Sequence, residues 1–292
     1  MKLTQHQTEQ QRRRQFIKTM AAGVSYTGVI LLAGCNGSSN TETSSQGSTA
    51  TTDTTTDTVV SEESSGNWAS GGTKNMTANF PDDTLFEQSQ SCEVSLTRSQ
   101  TEGPCYFQSD YLDDISIEKT GLPMQLCLQL TDSACNPLSG YEIEVWHCDV
   151  DGLYSGNTED SADAGRFNSG FCTGNDAQAM AARWFRGIQV TDSSGRVNFK
   201  TCFPGWYASR AIHIHFRVRR NNNDEVVSQL GFTDAFCQTI CTEHVDYASR
   251  GEPDTTLASD TVFDSSDDSY LINTQQNDDG SLLGYKRVMI AG

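Results

Sequence analysis

Six short stretches of this chain alternate apolar and polar residues with a period of two, and almost nothing repeats with the 3.6-residue period of a helix. They cover residues 124–131, 141–148, 187–191, 196–201, 212–218 and 226–232, and each is rich in aliphatic, aromatic or β-branched residues. Such residues suit a pleated, half-buried strand. Turn-forming clusters punctuate them, among them Cys135-Asn136-Pro137, Asp192-Ser193-Ser194-Gly195 and Asn221-Asn222-Asn223-Asp224. Short strands at this spacing build a sandwich or a barrel. Residues 234–244 are the best helical candidate. The fold is expected to be mainly β.

Charge and cysteine content narrow the setting. A formal net charge of −18 is wrong for a nucleic-acid binder, whose phosphate contacts need clustered Lys and Arg. No apolar run approaches the roughly 18 residues of a transmembrane helix. Ten cysteines suggest an oxidising compartment; most of the nine beyond Cys35 are expected to form disulfides, at least one of the nine staying unpaired, with Cys127 and Cys135 as one candidate pair.

The N-terminus suggests a route to that compartment. Basic residues Arg12, Arg13, Arg14 and Lys18 precede a short apolar stretch that ends in small residues, the layout of an export signal. Arg13-Arg14 followed by Phe16-Ile17-Lys18 resembles a twin-arginine signal, and Leu32-Ala33-Gly34-Cys35 resembles a bacterial lipobox. The resemblance implies removal of residues 1–34 and lipidation of Cys35. The protein would then be exported and held at a membrane by its acyl chains alone, in the periplasm or at the outer membrane. Seventeen of the 31 residues from 36 to 66 are Ser or Thr, too polar to bury a core. A disordered tether over 35–75 and a folded domain over 76–292 are expected.

The segment Arg210-Ala211-Ile212-His213-Ile214-His215-Phe216-Arg217-Val218 carries the chemistry. Period two places Ile212, Ile214, Phe216 and Val218 on a core face and both histidines on the other. Their α-carbons then lie about 6.6 Å apart, close enough for two imidazoles to share one metal ion. A bare His-x-His is a weak signal, and surface or hydrogen-bonded histidines are the bland alternative. Further ligands are needed; oxidised cysteines are a poor source, and tyrosines are candidates.

Three segments, in order, resemble the intradiol ring-cleavage dioxygenases, the family of catechol and protocatechuate dioxygenases. They are Thr101-Glu102-Gly103-Pro104-Cys105-Tyr106; then Gly140-Tyr141-Glu142-Ile143-Glu144-Val145-Trp146-His147-Cys148-Asp149 leading to Gly152-Leu153-Tyr154; then Arg186-Gly187-Ile188 continuing through Phe203-Pro204-Gly205-Trp206-Tyr207 to Arg210 and the His-x-His. The resemblance implies an antiparallel β-sandwich with long loops and few short helices. It implies a mononuclear non-haem Fe(III) site, with Tyr154 and His213 equatorial and Tyr207 and His215 axial. The implied reaction cleaves a small aromatic diol with O2 between its hydroxyl-bearing carbons, giving a cis,cis-muconate-type diacid. Arg210 would stabilise developing negative charge, Gln229 would sit near substrate and iron, and Gly103 and Pro104 would line the substrate mouth. Phenolate oxygens suit hard Fe(III) and disfavour the softer thiolate metals.

The chain departs from the family pattern in places. Cys105 stands where an aromatic is usual, and Ala208 where Pro is common. Only Ala208 and Ser209 separate Tyr207 from Arg210, which implies a more open pocket.

Rival readings are a binding module that kept the fold without catalysis, and a zinc-dependent hydrolase built on His213 and His215. Arg210 read blandly is a strand-edge salt bridge, and Gln229 a satisfied strand amide. His147 reads as a core or supporting histidine. Cys237-x-x-x-Cys241-x-x-His244 reads as disulfide cysteines rather than a metal site, and the Asp-rich stretch over 260–268 as a solvated loop rather than a calcium site.

Overall fold

The computed structural model of the protein describes residues 67–87, 97–156 and 170–291. Cys35, the paired arginines and all of the expected tether before residue 67 lie outside the described residues. Each period-two stretch is a strand: β1 (Pro123–Thr131), β2 (Glu142–Trp146), β3 (Arg186–Val190), β4 (Arg196–Cys202), β5 (His213–Arg220) and β6 (Asn223–Gly231). Two further strands lie beyond the expected set, β7 (Asn273–Gln276) and β8 (Leu282–Met289). Helices are short: α1 (Thr84–Glu87), α2 (Ala177–Ala181) and α3 (Asp234–Glu243). The last coincides with the expected helix and starts where the Thr233 hydroxyl accepts the Phe236 N–H, an N-cap.

The strands form two four-stranded sheets, ordered β4-β1-β8-β7 and β3-β2-β5-β6. Leu126, Leu128, Leu130, Phe199 and Val288 of the first meet Ile143, Val145, Ile214, Phe216 and Val218 of the second in one buried cluster. Fully burying each such side chain is worth about 2 kcal/mol, and this layer holds the two sheets together. One pairing departs from the expected antiparallel order, because β1 runs parallel to β8.

The outer face of the first sheet is covered as well. Gln125 and Gln129 of β1 are buried there, and the Gln125 amide donates to the Ala78 carbonyl at 2.9 Å. The covering segment starts earlier than the expected boundary at residue 76. Trp68 packs against the core, and the Ala69 amide donates to the Gly280 carbonyl at 2.8 Å. Residues 67–75 therefore belong to the fold. One Trp among Gly, Ser and Asn was too faint a signal for that.

The disulfide expectation needs the larger correction. Cys105 bonds Cys172 across 67 residues, and Cys135 is also disulfide-bonded. Cys127, Cys148, Cys202, Cys237 and Cys241 are free and buried, so Cys127 does not pair with Cys135. The reason is strand geometry: Cys127 lies mid-β1 and packs on Phe86 and Leu283, while Cys135 sits in the turn beyond. Loss of water pushes the Cys127 and Cys241 thiols up to about 12, which suppresses the reactive thiolate. Alkylation of the native, non-reduced protein should spare all five positions, and alkylation after denaturation should label all five, as read by peptide mass mapping. Blocked residues at any of the five after denaturation would contradict this arrangement.

Candidate metal centre

The site lies on the outer face of the second sheet, opposite the core. Alternation along β5 sends Ile214, Phe216 and Val218 into the core and turns His213 and His215 outward, each only 2% exposed. Their Nε2 atoms are 3.0 Å apart. Register places Trp146 of β2 opposite His215, and the two rings stack at 5.0 Å with 6° between their planes. The His215 ring also meets Gly103, whose φ is +77°. A Cβ there would come within 3.2 Å of the His215 Cε1, so a residue without a side chain is needed for both reasons.

The Ala211 carbonyl lies 2.6 Å from Nδ1 of His213. A carbonyl only accepts, so Nδ1 carries the proton and Nε2 presents a lone pair inward. Nδ1 of His215 is buried with no partner.

Two tyrosines complete the cluster. Tyr154 follows β2 by way of a tight turn around Asp149, whose carboxylate accepts the amides of Asp151 and Leu153 and pairs with Lys119 at 2.9 Å. Gly152 in this turn has φ +75°, and a Cβ on it would lie 2.3 Å from the Trp206 carbonyl oxygen. That close approach brings Tyr207 beside Tyr154. Arg250 ties the two segments by donating to the Val150 and Trp206 carbonyls at 3.0 and 2.6 Å. The Tyr154 hydroxyl is 3.5 Å and the Tyr207 hydroxyl 3.2 Å from Nε2 of His213, and the two tyrosine rings meet edge to face with centroids 5.7 Å apart.

Two phenolic oxygens and two imidazole nitrogens thus face a common point in a nearly dry setting. Burial is the main cause that pushes the Tyr207 phenol up to about 12, the Tyr154 phenol well above its usual range, and His213 down to about 3, the last helped by the positive charge of Arg210. Burial also holds His215 far below an ordinary imidazole, so both rings are neutral donors. A hard multivalent cation is what would offset the cost of ionising two buried phenols, and the donor set fits one. Among the described residues no group of three or more His, Cys, Asp or Glu gathers around any point, so a zinc site of the usual ligands has no third donor. His244 bonds the Ala69 carbonyl instead of joining Cys237 and Cys241, and His147 is a core histidine held by Thr201 and Cys148.

Around the four donors the sequence-predicted residues fall together. Arg210 stands at the approach to β5, and its Nη2 donates to Oε1 of Gln229 at 2.5 Å. Gln229 lies opposite His215 on β6 and donates its own amide to the Thr101 carbonyl at 2.9 Å. Pro104 is half-buried between Gly103 and the disulfide-bonded Cys105. Cys172, the other half of that disulfide, accepts the Tyr154 amide at 2.8 Å, so the bridge links the Gly103-Pro104 segment to a tyrosine donor.

Three supporting residues had no sequence signal strong enough to single them out. Arg186, fully buried, donates to the Phe107 and Ser155 carbonyls and anchors the chain just after Tyr154. Arg250 has been described. Asp260 belongs to the Asp-rich stretch expected to be a solvated loop, yet its carboxylate is wholly buried and pairs with Arg210 at 2.9 Å.

A family model described as Dioxygenase matches residues 102–252, just over half of the chain and the whole stretch that carries these donors. The chain belongs to the intradiol ring-cleavage dioxygenase family. This intradiol dioxygenase-family chain is 26% identical over 113 residues to chlorocatechol 1,2-dioxygenase of Pseudomonas putida. That alignment spans 32% of the chain and 36% of the relative's length. A solved intradiol ring-cleavage dioxygenase from Tetranychus urticae is 24% identical, with a TM-score of 0.55 over 68% of this chain and 94% of that one. A second solved dioxygenase is 27% identical, with a TM-score of 0.57 over 68% and 95% of the two chains. These likenesses agree with the family's mainly β sandwich found here.

Proposed function

We propose that this protein is a non-haem Fe(III) intradiol dioxygenase that cleaves small catechols with O2, breaking the bond between the two hydroxyl-bearing carbons and placing one oxygen atom on each, to give cis,cis-muconate-type diacids. The observation that carries this reading is the convergence of Tyr154, Tyr207, His213 and His215, four donors of the types that suit a ferric ion, within one buried cluster. Those four residues would hold the ion. When bound, it would supply a Lewis acid that ionises the catechol hydroxyls and makes the ring reactive toward O2.

The chain's own groups have definable tasks. Tyr207 is the more exposed of the two tyrosines, and as a phenolate it would take a proton from an entering diol. Arg210 brings a fixed positive charge beside the cluster, able to stabilise negative charge that develops on the substrate. Gln229 holds that guanidinium from one side. Trp146, Gly103 and the Cys105–Cys172 bridge keep water and side-chain motion away from His215 and Tyr154. We further propose that the protein is an exported lipoprotein anchored through Cys35, on the strength of Arg13-Arg14 and Leu32-Ala33-Gly34-Cys35.

The test begins with metal content and colour of the purified protein. A ferric-tyrosinate site is red-brown, a zinc protein is colourless, and a binding module with no metal would contain none. The iron-replete protein should then be given catechol, hydroxyquinol and protocatechuate under labelled O2. The expected product is a diacid carrying both labelled atoms. Yellow semialdehydes, or no O2 uptake across the panel, would overturn the assignment.

A further inference from the structure

The loop after α3 delivers one carboxylate to the back of Arg210. The Asp260 side chain is fully buried, and each of its oxygens has two donors. Oδ2 accepts the Arg210 Nε–H at 2.9 Å and the Ala211 amide at 2.7 Å. Oδ1 accepts the amides of Val262 and Phe263 at 2.7 and 3.0 Å, closing the loop on itself. Arg210 is also held by Gln229 through Nη2, and its guanidinium lies 5.8 Å from the centre of the Phe263 ring. Nε and one Nη2 hydrogen are thereby committed to protein partners, and Nη1 is the nitrogen whose two hydrogens are uncommitted.

A free arginine side chain carries about 2 kcal/mol of rotamer entropy, which would dilute any effect of its charge on a reacting group. Two fixed anchors on one guanidinium remove that freedom. We infer that Asp260 is a positioning residue of the ring-cleaving site, holding the Arg210 guanidinium in the single orientation that points Nη1 toward bound substrate. The inference rests on the proposed role of Arg210 and adds to it a residue from a distant loop. The carboxylate is not replaceable by its amide. With two donors on each oxygen, Asp260→Asn would turn an NH2 toward two N–H groups in either flip state.

Asp260→Ser is the sharper variant. A serine hydroxyl can still accept the amides two and three residues on, which keeps the loop turn while removing the oxygen that faces Arg210. Arg210→Ala should cut kcat by about 100-fold with iron content kept. Asp260→Ser should cut kcat by about tenfold or more, with iron content kept, because a misdirected group loses most of its benefit. Combined with Arg210→Ala, Asp260→Ser should change kcat far less than it does alone, because most of its effect runs through the guanidinium; what remains reports the lost bond to the Ala211 amide.

A second readout avoids turnover altogether. In metal-free protein the Arg210 Nε–H resonance should be slow to exchange in the wild type and fast in Asp260→Ser. Full additivity of the two substitutions, or unchanged Arg210 exchange in Asp260→Ser, would overturn the positioning role even if the fold is perturbed. Undiminished turnover in Arg210→Ala would instead overturn the functional reading of Arg210 itself.

Discussion

Replacing His213 by alanine is expected to abolish ferric binding and turnover together while the β-sheet circular dichroism stays that of the wild type. Among the four donors His213 is the hub. Its Nε2 lies within 3.0–3.5 Å of His215 Nε2 and of both phenolic oxygens. Its tautomer is set by the Ala211 carbonyl, so the inward lone pair is there before any ion arrives. Losing an outer partner of a ligand typically weakens metal affinity by 10–100-fold, and losing the hub ligand should exceed about 100-fold. Iron content after dialysis and the tyrosinate absorbance measure it. The control is His147→Gln, since His147 is buried on the core side and bonded to Thr201 and Cys148. That variant should keep its iron and lose stability instead. Stoichiometric iron in His213→Ala would remove the basis for the proposed site.

The two histidines were legible because a two-residue period reports side-chain direction directly, whereas Tyr154 and Tyr207 lie outside the strands and were named through the family resemblance. The strand through His213 and His215 has apolar residues at every alternate position, so its two faces could be assigned from the sequence. The partner residues around it obey no such rule. Asp260 is one aspartate among several in a stretch of loop, and composition does not say which carboxylate turns inward. Only the packing of that loop against Arg210 distinguishes it.

The unexpected strands fail the periodicity test for physical reasons. β7 is wholly polar, Asn-Thr-Gln-Gln, because it forms the edge of its sheet. β8 mixes Gly284, Lys286 and Arg287 into its apolar run while lying between β1 and β7. Gly284 breaks the alternation since Met124 fills the space that its side chain would need, the Met124 Cε lying 2.3 Å from where a Cβ would be. The disulfide between Cys105 and Cys172 was hidden for another reason. A bridge spanning 67 residues depends on two loops meeting in space, and sequence spacing carries no trace of that.

The turn that presents Tyr154 should be nearly as sensitive as the donors themselves. Gly152→Ala places a side chain at a left-handed residue, which costs roughly 1 kcal/mol or somewhat more by itself. The new Cβ would also lie 2.3 Å from the Trp206 carbonyl oxygen, and backbone cannot yield as a flexible side chain can. Relief requires the Trp206–Tyr207 segment to move away, against the Arg250 guanidinium that holds the same carbonyl. We expect a total cost of about 3 kcal/mol, which for a domain of this size lowers the Tm by roughly 10 °C. Displacement of Tyr207 should weaken iron binding at the same time. Gly140→Ala separates the two contributions, because Gly140 has φ +79° with nothing within 4 Å of the added atom. That variant should carry the conformational cost alone, a drop of only about 3 °C, with iron content unchanged. Equal losses of Tm in the two variants would mean that contact with Trp206 contributes nothing, and that Tyr207 is placed by other parts of the fold.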